Sequence, residues 1–313
     1  MKKEDGTMSR QQAYVCATAG AAMWGLIGLF VQALYHAGFT PWQTVAVRAV
    51  FSALLIVGFL AVRRPHLLKI NIKDLPYFIG TGIISIVFFN WCYFTVMEEA
   101  SLSLAVVLLY TGPLFVTLLS RVLFREWLTH RKMISLFLTM TGCAFTVGLL
   151  PSFETSLSFF VILAGLGSGF FYALYSVFGK YVSRRYSPLT ITAYSFICAS
   201  CLMIPAGGLM HQLPLFADPA VILYAVGLAF VPTVLGYILY TSGLTYIESS
   251  RASILTTIEP VVAIIIGVTV FGDVLGGWQI LGILLVLASI FVISEREKER
   301  SQKPADAAES LKS

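Results

Sequence analysis

Two ionisable residues fall well inside long apolar runs: Arg48, within TVAVRAVFSALL, and Glu259, within ILTTIEPVVAII. A charge at the centre of a bilayer costs about 2.5 kcal/mol or more on insertion scales, so a charge kept there is a functional candidate by default. The planar fork of Arg48 matches a carboxylate, either that of Glu259 or that of a bound substrate. Its other reading is structural: a side chain that snorkels to the interface or fixes a helix contact. Glu259 also has two readings. It can carry a proton between two states of the protein, or it can be a structural acid that pairs with Arg48 or caps interrupted backbone.

Polar and aromatic residues at mid-run depths surround these two charges in the sequence: Trp24, Asn90, Tyr93, Tyr110, Tyr172, Tyr175, Ser176, Tyr237 and Tyr240. Ring faces with a few hydrogen-bonding groups suit a small amphipathic solute. About half of the set is expected to face a cavity and the rest to pack. Asn90 is the strongest polar candidate, because an amide in hydrocarbon needs a partner. Pro113 and Pro260 interrupt two further runs near their middles. Each lacks an N–H, which predicts that the carbonyls of Leu109 and Thr256 lose their helical donors. In lipid such a carbonyl must find another partner. A packing kink and a gating or binding role are both open for these prolines.

Catalytic patterns are missing. No GxxxxGK[ST] loop is present to cradle ATP, and no HExxH or GxSxG occurs. His36, His66, His130 and His211 all fall at run ends or in loops. The five cysteines lie in apolar runs and are expected to pack as small hydrophobes; the Cys198/Cys201 spacing has no second pair to complete a zinc set. No cofactor and no enzyme activity are expected.

The elements that must position these residues are membrane helices. Of 313 residues, 58% are hydrophobic and 12% charged, with a mean hydropathy of +0.84. Soluble domains carry about 25% charged residues. At about 20 apolar residues per crossing, the chain can cross about ten times. Pro, Gly and charge punctuation place the segments at 12–36, 41–62, 76–97, 101–123, 131–150, 158–182, 188–209, 219–246, 249–271 and 275–294. Ten crossings with the N-terminus inside put 20 of the 21 Lys and Arg on the cytoplasmic side, leaving Arg48 within the second segment. The net charge of +5 therefore describes orientation rather than nucleic-acid binding. Residues 295–313 are read as a solvated cytoplasmic tail.

Sliding the chain by 147 residues superposes Tyr93 on Tyr240, Ala105 on Ala252, Leu108 on Leu255, Pro113 on Pro260, Phe124 on Phe271, Glu126 on Asp273 and Leu128 on Leu275. Pro41 meets Pro188 at the same offset, and Trp24-Gly25-Leu26 meets Tyr172-Ala173-Leu174 at 148. The halves, 12–150 and 158–294, read as one five-helix unit duplicated. Five is odd, so the second copy is inverted, a plan common among secondary transporters with a site at the repeat interface.

Trp24-Gly25, Pro41 with Arg48, Pro113 with Arg125-Glu126-Trp127-Leu128, and Glu259-Pro260 with Gly272-Asp273 together resemble the EamA-type branch of the drug/metabolite transporter superfamily over residues 12–294. Asp273 departs from the Glu more usual in that family's second half. The resemblance implies an all-α integral membrane protein of ten helices in two inverted five-helix repeats. It also implies a central cavity lined mainly by helices 1–4 and 6–9.

The expectation is a secondary carrier in a bacterial cytoplasmic membrane with both termini inside. It would move a small metabolite, amino acid or drug-like solute, by export, through alternating access, with protons as a candidate coupling ion. A facilitative channel or uniporter is the alternative, and an intramembrane enzyme the remote one. The partners are a small-molecule substrate and the bilayer, without ATP or nucleic acid. Gly165 and Gly169 in the sixth segment form a GxxxG that serves bundle packing or dimerisation, and Gly20, Gly25 and Gly28 give the first segment a comparable small face, so a monomer or weak homodimer is expected.

Overall fold

Segments this apolar must satisfy their own backbone, and the chain does so with helices. The structure, a computed structural model, describes residues 8–150, 158–272 and 274–294, and contains no strand among them. Nine helices are long and apolar enough to cross a membrane among the described residues. We label the spans α1 (Arg10–His36), α2 (Pro41–Arg63), α3 (Ile72–Glu99), α4 (Leu104–Leu123), α6 (Phe159–Val182), α7 (Pro188–Ala206), α8 (Pro219–Tyr246), α9 (Ser249–Phe271) and α10 (Gly277–Ser294). The predicted fifth segment forms α5, His130–Thr146, a shorter helix of 17 residues whose first turn carries Arg131 and Lys132. At 1.5 Å per residue, α5 spans about 26 Å, short of a typical hydrocarbon core.

Helix starts follow sequence chemistry. Ser9, Thr40, Ser101, Thr129, Ser158 and Ser187 each cap a helix by accepting a backbone N–H three residues on. Pro41, Pro188 and Pro219 open α2, α7 and α8, where a missing N–H costs nothing. Asp273, the repeat partner of Glu126, lies outside the described residues, as does the tail.

Small residues let these helices approach closely, since van der Waals packing replaces the hydrophobic drive in lipid. Gly20 of α1 leaves no room for a Cβ against the backbone of Gly236 and Tyr240 in α8, and Gly243 sits equally close to Ala13 and Ala17. Gly142 of α5 meets Gly282 of α10, beside a 3.0 Å hydrogen bond between Thr139 and Ser289. Gly165 and Gly169 face Leu108, Thr111 and Gly112 of α4, so the GxxxG of α6 packs inside the bundle. Of the three glycines expected on the small face of α1, Gly28 meets nothing within 4 Å.

Five spans are interrupted. α4 breaks at Tyr110-Thr111 and α9 at Thr256-Thr257, each just before its proline, as the spacing predicts. α1 breaks at Gly25-Leu26, between Arg10–Trp24 and Ile27–His36, where no proline announces it. α3 and α8 widen into π-helix over Gly80–Val87 and Ala229–Leu235, positions that correspond in the two halves at the 147-residue offset. In α8 the cause is Pro232, and Thr233 donates its hydroxyl to the Leu228 carbonyl at 2.7 Å.

Candidate functional site

The breaks in α1 and α9 face each other. A Cβ on Gly25 would stand 2.6 Å from the Glu259 carbonyl oxygen and 2.7 Å from the Val262 Cβ, so this glycine lets α1 seat against the α9 break. The Thr256 carbonyl, predicted to be orphaned by Pro260, accepts the Glu259 N–H at 3.0 Å instead. A single 3₁₀-type bond thus absorbs the group the proline frees. Thr256 and Thr257 also turn their hydroxyls onto the carbonyls of Ser253 and Ile254, both at 2.7 Å.

Glu259 opens the second half of α9 and remains partly accessible at mid-span. Its carboxylate lies within electrostatic reach of Tyr93, Tyr110, Tyr172, Tyr237 and Arg48. Arg48 is 8% exposed, and its Nε and Nη2 are buried without a hydrogen-bond partner. No ion pair joins Arg48 to Glu259 among the described residues, so the direct pairing considered from sequence is not made. An unpaired buried guanidinium costs several kcal/mol in desolvation.

An aromatic cluster lies beside these charges. The Trp24 ring is 5.0 Å from both Tyr237 and Tyr240 and 6.3 Å from Tyr172. Tyr237 meets Tyr175 and Phe196 edge-on, each at 5.0 Å. Tyr175 hydrogen-bonds Thr241 at 2.9 Å and Ser176 hydrogen-bonds Tyr240 at 2.6 Å, which ties α6 to α8. Trp24, Ser85, Ile86, Phe89, Tyr172, Tyr175, Ser176, Tyr237 and Tyr240 enclose a cavity of about 10 Å³, room for about one water molecule. The Trp24 indole N–H and the Tyr172 hydroxyl are buried there without partners.

Other predicted residues fall elsewhere. Asn90 is buried but donates to the Ile86 carbonyl of its own helix at 2.6 Å, so its amide is satisfied locally and does not line this cavity. Tyr110 packs with Cys143, Val261 and Val286 on the α5 and α10 side. Tyr93 lies between Phe89 and Phe94, on the Glu259 side of the cluster. Pro113 and Pro260 shape the breaks, while Ser85, Ile86 and Phe89 join the lining without any sequence signal beyond their membership of an apolar run.

One end of the bundle is closed by charge. Glu126 accepts the backbone N–H groups of Ser249 at 2.7 Å and Ser250 at 3.1 Å, together with the Ser250 hydroxyl. A carboxylate from the first half thereby caps the α9 N-terminus in the second, where the dipole favours an anion. Arg125 takes φ +57°, a left-handed turn unusual for a side-chain-bearing residue, just before it. Lys132 ion-pairs Glu248 at 3.1 Å and Glu126 at 3.7 Å and donates to the Trp127 carbonyl at 2.9 Å. Arg251 contacts Glu248 at 2.7 Å and also donates to Tyr14 and the Ile293 carbonyl, both at 3.2 Å. Burial alone would raise the Glu248 carboxyl, but its bonds and charge contacts with Arg251 and Lys132 outweigh this and hold it below the usual carboxylate range. Lys180 donates to the Leu244, Thr245 and Ile247 carbonyls at 2.7, 3.3 and 2.5 Å, and Asp74 binds Arg185 and Tyr186 at 3.0 and 2.7 Å.

Both halves of the chain match one family model, described as the EamA-like transporter family, over residues 11–148 and 159–295. An uncharacterized transporter of Archaeoglobus fulgidus is 30% identical over 242 residues, 76% of this chain and 83% of the relative. The uncharacterized transporter YwfM of Bacillus subtilis is 25% identical, covering 92% of this chain and 95% of its own. A probable amino-acid metabolite efflux pump of Salmonella typhimurium is 24% identical over 91% of this chain and 95% of its own. A crystal structure with 17% sequence identity superposes over 97% of this chain and all of its own with a TM-score of 0.74, a likeness of fold.

Proposed function

The chain belongs to the EamA-like transporter family and is a multi-pass membrane transporter; on that premise we propose that it exports a small amphipathic metabolite by alternating access. The amino-acid metabolite named for the Salmonella relative indicates the size and polarity of solute. The membrane is the bacterial cytoplasmic membrane, with both termini inside and the ion-paired end of the bundle facing the cytoplasm, as the distribution of basic residues favours.

The observation that carries this reading is a duplicated fold whose described ion pairs all lie at one end. At the basic end Tyr14, Ala17, Ala21, Tyr240, Leu244 and Ile247 are buried beneath the Glu126–Lys132–Glu248–Arg251 network. From the α1 break towards the other end, Leu34, Phe39, Val221 and Ala225 are buried, but Ile27, Phe30, Tyr93, Met97 and Ile258 are only partly buried and none of the described ion pairs lies there. Inverted repeats supply a second arrangement of similar energy with the opposite end closed. Glu259, at the break where the halves meet, is the proton-coupling group, and Trp24, Tyr172, Tyr175 and Tyr237 form the aromatic wall of the transport path. Tyr93, Tyr110, Asn90, Pro113 and Pro260 support that path.

Proteoliposomes loaded with a mixed pool of unlabelled cytosolic metabolites test the proposal. A carrier takes up labelled solute against that load in a saturable exchange. Unsaturable leak through the protein without exchange would instead make it a channel.

A further inference from the structure

Most cations drawn into the interior of the described chain are saturated with acceptors. Lys132 meets two carboxylates and a carbonyl, Arg251 meets a carboxylate, a hydroxyl and a carbonyl, and Lys180 meets three carbonyls. Arg48 differs: it too is buried, yet Nε and Nη2 donate to nothing. Its electrostatic neighbours are Tyr35, Tyr237 and Glu259. Tyr237 packs on Trp24, and Trp24 meets Tyr172. Beside this cluster the unpartnered groups include two guanidinium nitrogens and an indole N–H, which only donate, and the Tyr172 hydroxyl, which can donate. An arginine fork presents parallel N–H groups that a carboxylate accepts in pairs.

We infer that Arg48 is the specificity-determining residue of the transport path and binds the carboxylate of the solute, with Trp24 and Tyr172 as further donors and the aromatic wall holding an apolar or aromatic body. This rests on the transporter reading and deepens it. The arrangement leaves Glu259 free of Arg48, available to a proton or to an amine on the same solute, so recognition and coupling reside on separate side chains.

Three probes with one aromatic body isolate the carboxylate: 3-phenylpropionate, L-phenylalanine and phenethylamine, titrated calorimetrically into the purified full-length protein. The two carboxylates are expected to bind at least tenfold more tightly than phenethylamine. Arg48→Gln should weaken both by tenfold or more and leave phenethylamine unchanged, and Arg48→Lys should restore part of the loss. Trp24→Phe, which removes the indole donor together with part of the ring, should weaken the carboxylates about threefold more than phenethylamine, an arm that survives if Arg48→Gln fails to fold. Equal binding of the amine, binding of none of the three, or carboxylate affinity unchanged in Arg48→Gln overturns the assignment. If saturable exchange of other solutes persists in that case, the transporter reading stands; loss of exchange for every solute in the wild-type protein overturns that reading instead.

Discussion

The two halves of the chain are alike in backbone and unlike in chemistry. At the 147-residue offset the breaks of α4 and α9 fall within one residue of each other, and the π segments of α3 and α8 overlap. Yet the position matching Glu259 is Gly112, packed against the Tyr172 ring, and the position matching Arg48 is Ser195, bonded to Thr81 at 2.6 Å and to the Ile191 carbonyl at 2.8 Å. Likewise α1 breaks at Gly25-Leu26 while α6 runs unbroken from Phe159 to Val182. Duplication supplied a pair of hinged scaffolds, and each copy then kept one charge of its own. Each interior charge is therefore opposed in the other half by a small uncharged residue.

The largest effect is expected where one half caps the other. Glu126→Ala strips the α9 N-terminus of its carboxylate and leaves Lys132, 1% exposed, with only Glu248 as an ion-pair partner. Breaking a buried pair costs about 3–5 kcal/mol. That cost falls on the conformation closed at the basic end, so a cysteine placed at Ser253 should become reactive to an impermeant maleimide added from the cytoplasmic face. Unchanged labelling would mean that Glu126 does not hold this end shut.

A second substitution pair separates the kinked copy from the straight one. Gly25→Ala drives a Cβ into the Glu259 carbonyl and Val262 and should lower stability by about 1–3 kcal/mol, read as a fall in Tm. Ala173→Gly, at the matching place in α6, loses only about 1 kcal/mol of helix propensity. Equal losses at the two sites would show that the α1–α9 approach is not special.

The smallest effect concerns Glu248, whose carboxyl sits below its ordinary range and whose side chain is 39% exposed. A depressed acid stabilises the network above its unfolded value of about 4.3 and loses that contribution as pH falls through the folded value. Closure of the basic end should therefore be flat between about pH 8 and 5 and weaken below about pH 4, by no more than about 1 kcal/mol given the exposure. Maleimide labelling at Ser253→Cys across this range checks it.

Much of this architecture was legible in residue order. Apolar runs punctuated by proline and charge located the spans, and the self-match placed the breaks before Pro113 and Pro260. What stayed hidden has physical causes. The Gly25 break depends on α9 lying across it, and glycine is too common in membrane helices to announce that contact. Asn90 had to find an acceptor, but a carbonyl four residues back served without any cavity. In the sequence Glu126 stood out only as the repeat partner of Asp273 and as part of Arg125-Glu126-Trp127-Leu128, and only the fold brings it 123 positions along the chain to Ser249. The shortness of α5 follows from its stop at Thr146, where Gly148 takes φ +74° and the chain turns out of the helix.

The central claim is that Glu259 couples solute movement to protons, and Glu259→Gln in proteoliposomes tests it most directly. With a solute identified by exchange, the variant should still exchange labelled for unlabelled solute but should no longer accumulate it in response to an imposed pH gradient. Full accumulation that still follows the pH gradient in Glu259→Gln would contradict the account.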